Sequence, residues 1–491
     1  MQTKHSFQYW QTRTIIVTMI GYALYYFVRK NFSIAMPGLT AEFGISKVEL
    51  GLFLTLNGIV YGLSRFVNGI ISDRNSARIV MSVGLLLCAV MNFLFGCSDT
   101  IASWIYTLAL NTSSEIAFTT VLVYFMGMVW VINGYLQGMG VPPATKINAQ
   151  WIPPHELATK LSIWNMSHSI GAGLVFAICG WFIMPHLGID VSGDMAIVEQ
   201  VRANVASSMK AGAAMPDITQ FVEHYGAWRW CFIVPAICAA AGAFGLFFLL
   251  KDSPSDVGLP EVMGQKKAIV KTEEEKAEYN AFIRRKVFGN RLIWTLGVTN
   301  FFVYVVRFSA LDWGPTLLTE SKGLTLAVAT TLCIVFEFIG GNIGMVVAGW
   351  VTDHWFHNKA HRTCVWCMVG ATLSVAAFWL LPQDAPLWLL IIPFTLIGFF
   401  IYGPQALLGI SAANQATNRA AATANGILGI FGYASTLISG VGFGAIAQYW
   451  GWDAAYITIL VMSVLALVTL LTMWGAPADG YEHETSEEKH S

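Results

Sequence analysis

Residues Gly69 to Arg78 read GIISDRNSAR, and the same spacing of glycine and aspartate, G-x-x-x-D, returns in GWVTDHWFHNKAHR at Gly349 to Arg362. Each copy closes a long apolar run, so each is a polar turn where a helix leaves an apolar medium. A cation stands inside the apolar sequence ahead of each turn: Arg29 precedes Asp73 by 44 residues and Arg307 precedes Asp353 by 46. A turn and an intramembrane cation recurring in step imply two copies of one unit. Parallel repeats of this kind place a substrate site on their shared axis at mid-membrane, so Arg29 and Arg307 are expected to face one another.

Working outward, the 491 residues are 55% hydrophobic and 12% charged, about half the charge of an ordinary soluble domain. Apolar runs of about 20 residues recur with polar loops between them, the pattern of spanning helices and not of barrel strands. Helices are expected at about 14–37, 49–71, 79–98, 119–143, 158–184, 229–250, 292–318, 325–351, 363–381, 386–410, 420–448 and 454–474. The fold class is therefore an all-α membrane protein of twelve helices in two six-helix halves, residues 1–250 and 292–474. Residues 251–291, opening DSPSDVGLP and carrying KK, EEEK and RRK, read as a linker, and 475–491 as a tail. The first run, from Thr14, is too long for a signal segment and is expected to stay as the first helix.

On this map four of the 28 Lys and Arg lie within the membrane (Arg29, Lys30, Arg65, Arg307), five lie on one side (Lys47, Arg202, Lys210, Arg229, Lys322), and the other 19 lie on the side of the N-terminus. The positive-inside rule then puts both termini, the linker and the tail in the cytosol of a multi-pass protein of the cell membrane, of the bacterial inner-membrane type. An insertion at about 190–228 falls outside; a short helix or disorder is expected there, with no assigned role. The net charge of −1 says nothing of partners, and nucleic-acid binding has no support. Eight cysteines sit in or beside apolar runs and read as packing residues, the Cys364–Cys367 pair included. His354, His357 and His361 read as a solvated turn and not a metal site. No GxxxxGK[ST] loop occurs, so ATP-driven transport, enzyme chemistry and a bound cofactor are not expected.

The intramembrane charges carry the chemistry. A guanidinium at membrane depth costs about 2.5–3.5 kcal/mol even on lenient scales, and Arg29 in GYALYYFVRKNF has Lys30 beside it. Two guanidiniums facing one another repel unless a polyvalent anion sits between them, and a phosphate dianion matches two Arg forks. The alternative is structural: Arg29 snorkels, and Arg307 pairs with Asp312 five residues on. Lys30 projects about 100° away from Arg29 and serves either gating or structure. Arg65, four residues after Tyr61 and on its face, can line the cavity as a third cation. His168, in WNMSHSIGAG, can bond phosphate in either protonation state or bridge two helices. Glu337, in VFEFIGG, can pair with Arg307 or Lys30 when substrate is absent. Asp73 and Asp353 read as latches at helix ends.

VRKNF, the YG-x-S-[basic]-F and G-x-x-SDR stretches of the second helix, NGYLQGMGVPP, WN-x-x-H, DSPSDVGLP, VYVVRF with LDW, and IYGPQ occur in this order along nearly the whole chain. Together they resemble the organophosphate:phosphate antiporter family of the major facilitator superfamily. The resemblance implies a rocker-switch exchanger of inorganic phosphate for a phosphorylated metabolite, a sugar phosphate or glycerol 3-phosphate, working as a monomer. It implies Arg29, Arg307 and His168 as phosphate ligands, and a cavity lined by Tyr22, Tyr26, Tyr61, Tyr304, Tyr402 and Tyr433. Two departures stand out: Arg65 occupies a position where the family commonly has lysine, and the outside insertion is longer than usual. Two other functions are compatible with the same residues. One is a membrane sensor of sugar phosphate signalling to a partner kinase, and the other a proton-coupled symporter of an organic anion with Glu337 or His168 carrying the proton.

Overall fold

The computed structural model describes residues 6–109, 117–260, 262, 273–383, 385–478 and 480. These are helical nearly throughout, with one isolated β-bridge, Ile189 to Tyr225. Eleven helices among the described residues, from Lys47–Arg74 to Trp452–Leu471, are long and apolar enough to cross a membrane. The first helix, α1 (Phe7–Phe43), is not one of them, although its 37 residues span roughly 55 Å at the usual helical rise. Its charged and amide residues, Arg29, Lys30 and Asn31, hold its hydropathy down. Several helices also run past the expected ends, as α1 does from about 14–37; an apolar window sees only the part of a helix that lipid or core requires to be apolar. Of the linker, residues 261 and 263–272, Lys266 and Lys267 among them, lie outside the described residues, as do 110–116, 479 and 481–491 of the tail; Glu273–Ile283 is a helix.

The chain divides into two compact units, Met1–Lys267 with Leu318–Thr331, and Ala268–Leu317 with Leu332–Ser491. Leu318–Thr331, which follows the expected seventh helix in the chain, clusters with the first unit.

In the first unit α1 meets α2 (Lys47–Arg74) through Phe32 on Phe53 and Arg29 on Tyr61, and packs against α3 (Ala77–Gly96) and the helices Phe118–Trp151, Ile163–Ile183 and Ala227–Leu249. Glycine makes one of these approaches possible: a Cβ on Gly171 would stand 2.3 Å from the Ala23 carbonyl oxygen. Within α1, Val28 leaves helical geometry, with φ −91° and ψ 19°. Its carbonyl oxygen accepts from the side-chain amides of Asn92 and Asn133, at 3.0 Å each, and of Gln137, at 3.3 Å. Asn31 donates to Asn92 Oδ1 at 2.8 Å and to the Cys231 carbonyl at 2.9 Å. All four amide residues are buried. In a medium without water a bent helix is tolerated where neighbouring side chains satisfy its backbone, and this amide knot does so one residue before Arg29.

The insertion at 190–228 forms two helices, Met195–Ser207 and Thr219–Glu223. Val201, Val205, Phe221 and Val222 bury themselves around Ala41, and Asn204 donates to the carbonyls of Ala41 and Glu42 at 3.0 Å each. The insertion therefore caps the end of α1. Beside it, Lys47, 1% exposed, donates to the Ser208 carbonyl at 2.7 Å and pairs with Glu320 at 3.0 Å. Arg229 bridges Glu42 and Asp99 at the same end.

In the second unit the Arg291–Asp312 helix packs on the long Leu387–Ala434 segment, which breaks at Thr417 (φ 60°, ψ 169°). The Leu326–His354 helix contains a π-helical stretch, Val335–Gly341, that carries Glu337. Its glycines bring it onto the Leu387–Thr417 helix, since a Cβ on Gly340 would stand 2.5 Å from the Thr395 carbonyl oxygen and one on Gly341 3.0 Å from the Tyr402 ring.

The knot gives a stability prediction. Asn133→Leu keeps the branched shape but removes one of the three amide donors to the buried Val28 carbonyl, which should lower stability by about 1 kcal/mol. Thermal unfolding in detergent checks it, and a wild-type midpoint would show the amide to be dispensable.

Candidate substrate site

In the first unit the bend at Val28 sets Arg29 among aromatic faces. Its guanidinium carbon lies 3.9 Å from the centroid of the Tyr61 ring and 5.6 Å from that of Tyr26. Arg65 approaches the same Tyr61 ring at 5.9 Å, as the four-residue spacing on α2 predicts. The Tyr26 ring lies 5.6 Å from His168 and 5.5 Å, edge to face, from Tyr22. His168 is buried; its Nδ1 meets the Asn165 carbonyl and its Nε2 lies 3.3 Å from Ser169 Oγ. Since Nδ1 faces a carbonyl it carries the proton, which leaves Nε2 as the acceptor in the neutral ring. The first unit thus gathers Tyr22, Tyr26, Arg29, Tyr61, Arg65 and His168 into one chain of ring and guanidinium contacts. Lys30, the neighbour of Arg29, is only 6% exposed.

In the second unit Arg307, 5% exposed, donates through Nη2 to the Tyr402 hydroxyl at 3.1 Å and lies 4.7 Å from the centroid of that ring. The same nitrogen lies 3.7 Å from Glu337 Oε1, and Glu337 is fully buried. Phe308 continues the cluster, with its ring 5.6 Å from the guanidinium carbon of Arg307 and 5.3 Å from Tyr304. Tyr433 follows Gly432, where a Cβ would stand 3.5 Å from the Tyr304 ring. The acid brought to Arg307 is Glu337, while Asp312 ends the arginine's own helix.

Other candidates lie apart from these clusters. Asp73 and Asp353 are exposed at helix ends, and at the first of these Lys146 reaches the backbone carbonyls of Ser72, Asp73 and Asn75 at 2.7, 3.3 and 3.1 Å. That turn is held by the Lys146 ammonium, with peptide oxygens as its acceptors. His354 stacks on Trp350 with ring centroids 4.8 Å apart. Among the described residues no three His, Cys, Asp or Glu converge as a metal site, and the eight cysteines are free thiols.

Two features escaped the sequence reading. Trp164 stacks on Tyr22 at 5.0 Å and 19°; it stands four residues before His168 in WN-x-x-H, and that spacing was the available signal. The amides of Asn31, Asn92, Asn133 and Gln137 were the second, and four amides inside apolar runs were theirs.

Residues 18–440 and 338–491 match the family model described as the Major Facilitator Superfamily. The chain is 30% identical to the probable hexose phosphate transport protein of Chlamydia trachomatis, over 99% of this chain and 95% of that one. It is 32% identical to the glycerol-3-phosphate transporter of Bacillus subtilis, over 94% and 92% of the two chains. It is also 30% identical to the membrane sensor protein UhpC of Salmonella typhimurium, over 97% and 95%.

The pair in the second unit can be tested directly. Glu337→Gln leaves the buried Arg307 cation without its carboxylate, and breaking one side of a buried pair costs about 3–5 kcal/mol. The thermal midpoint of the variant, measured without added anion, should fall accordingly; an unchanged midpoint would show that the two charges are not coupled.

Proposed function

Because the chain belongs to the organophosphate:phosphate antiporter family of the major facilitator superfamily, we propose that this multi-pass membrane transport protein exchanges inorganic phosphate for an organic phosphate ester by alternating access. The observation that carries the reading is the repetition of one device. Each unit holds an intramembrane arginine against the face of a tyrosine, Arg29 on Tyr61 and Arg307 on Tyr402. The ring offsets part of the guanidinium's desolvation, and a phosphate dianion competes for its forked donors through charge-assisted hydrogen bonds. Both arginines bind the phosphate group, with Arg65 assisting on the first unit's side and His168 joining through Nε2–H when its ring is doubly protonated. The rings of Tyr22, Tyr26 and Trp164 take the organic part, since a sugar or glycerol moiety packs on aromatic faces while its hydroxyls bond to phenols. On this reading α1 is the twelfth span, and both termini are cytosolic.

Glu337 gives the cycle its logic. With no anion present it compensates Arg307, and an arriving phosphate takes its place on the guanidinium. Cationic clusters left empty are unfavourable at membrane depth, so the unloaded protein changes state slowly and transport proceeds as exchange. Phosphate leaving down its gradient drives uptake of the ester.

A second reading is favoured by the similarity to the sensor protein: the same pocket binds sugar phosphate and reports it to a partner kinase. Counterflow of labelled phosphate in proteoliposomes separates the two, because a sensor binds the ester in calorimetry yet gives little flux. In the exchanger, Arg29→Lys and Arg307→Lys each reduce counterflow by roughly two orders of magnitude or more, while both variants still unfold cooperatively. Normal exchange by either variant sinks the two-arginine site. Uptake that collapses with a protonophore and needs no internal phosphate would instead make the chain a proton symporter.

A further inference from the structure

The second unit has a groove unrelated to the arginine clusters. It encloses about 560 Å³ between the ends of the Leu326–His354, Ala360–Leu380 and Leu387–Thr417 helices. Its walls are Trp355, Phe356, Trp366, Phe399, Phe400 and Trp474, and its floor includes Gly344 and Ala348. Trp355 and Trp366 are 66% and 60% exposed, so the described chain leaves most of each side chain open. Water is a poor occupant of such a groove, because a held water needs two to four polar partners. In a membrane protein the solvent at this surface is lipid, and an acyl chain restores the dispersion contacts that an empty apolar groove forfeits.

One end of the groove is charged. Arg362 donates through Nε to the Trp474 carbonyl at 3.1 Å, and its guanidinium carbon lies 5.1 Å from the centroid of the Trp474 ring. Lys359 closes the turn after Phe356, its N–H bonded to the Phe356 carbonyl at 3.0 Å. The turn between them passes through His357 and Asn358, both at positive φ. Among the described residues of this turn, Arg362 and Lys359 are the Lys and Arg cations and Asp353 is the acid. The distribution of Lys and Arg assigns this end to the cytosolic leaflet, the leaflet whose anionic lipids draw basic residues.

We propose that the groove is a phospholipid site, in which an acyl chain lies against Trp355, Trp366, Phe399 and Phe400 and an anionic headgroup is bound by Arg362 and Lys359. The acyl part follows from the walls, and the preference for an anionic headgroup from Arg362 on the wall residue Trp474 and Lys359 in the turn after Phe356. Each cation is expected to favour the anionic lipid roughly fivefold. The site is independent of the transported substrate, although its walls belong to the helices that carry Glu337 and Tyr402.

The full chain in phosphatidylcholine nanodiscs, doped with phosphatidylglycerol carrying a diazirine in its acyl chain, provides the test, with the matching phosphatidylcholine probe as reference. After irradiation, labelled peptides are mapped by mass spectrometry. Phosphatidylglycerol should label the segment from Trp355 to Trp366 and the peptide containing Trp474 roughly 25-fold above phosphatidylcholine. Arg362→Gln combined with Lys359→Gln should bring it down to the phosphatidylcholine level, while unchanged phosphatidylcholine labelling shows the groove intact. Arg362→Lys should retain most of the preference, and Val347→Trp, which fills the groove, should reduce labelling by both probes. Equal labelling of the wild type by the two lipids, or undiminished phosphatidylglycerol labelling of the double variant, overturns the proposal.

Discussion

The carbonyl oxygen of Val28 is where the first unit's architecture meets its chemistry. Three side-chain amides converge on it, from Asn92, Asn133 and Gln137, and they come from two different helices, α3 and Phe118–Trp151. Such a carbonyl in an apolar core is unfavourable unless bonded, so bending α1 requires all of these helices to be in place together. The bend sets the direction of Arg29, Arg29 meets Tyr61 and Tyr26, and those rings lead on to Arg65 and His168. A change in any of the amides is therefore a change in where the arginine points.

The two units solve the same problem with different materials. Arg29 lies over the faces of two tyrosines, whereas Arg307 has one tyrosine and a fully buried carboxylate. An anion approaching Arg307 must compete with Glu337. The π-helical turn matters here, because one wide turn and two following glycines let the Glu337 helix come close enough to the Tyr402 helix for both side chains to reach the same guanidinium.

Much of this was legible in the chain. A cation in an apolar run is conspicuous because its burial is so unfavourable, and Arg29, Arg65, Arg307 and Glu337 could be picked out on that ground. The G-x-x-x-D turns suggested two related halves, and the spacing of Tyr61 and Arg65 predicted a shared face. Asparagine was less legible. In an apolar run it is compatible with a helix contact, a cavity wall or a bound water, and only the fold shows that Asn92 and Asn133 serve one carbonyl. The register of Glu337 against Arg307 or Lys30 was likewise undetermined, since both cations were within reach on paper. Helix ends were misjudged where polar residues continue a helix beyond its apolar part, as in α1. The insertion at 190–228 gave no hint of its docking on Ala41, because its buried side chains are few and its partners are far away in sequence.

The amide knot also bears on how the chain is built. The partners of the Val28 carbonyl lie 64, 105 and 109 residues further along the sequence. During synthesis α1 emerges with its two cations, while the groups that support its bend have yet to be made. It is the least apolar of the long helices, and the bilayer alone gives it little reason to stay. Its final seat is an acquired one, reached when Ala77–Gly96 and Phe118–Trp151 arrive, so α1 is finished later than its place in the chain suggests.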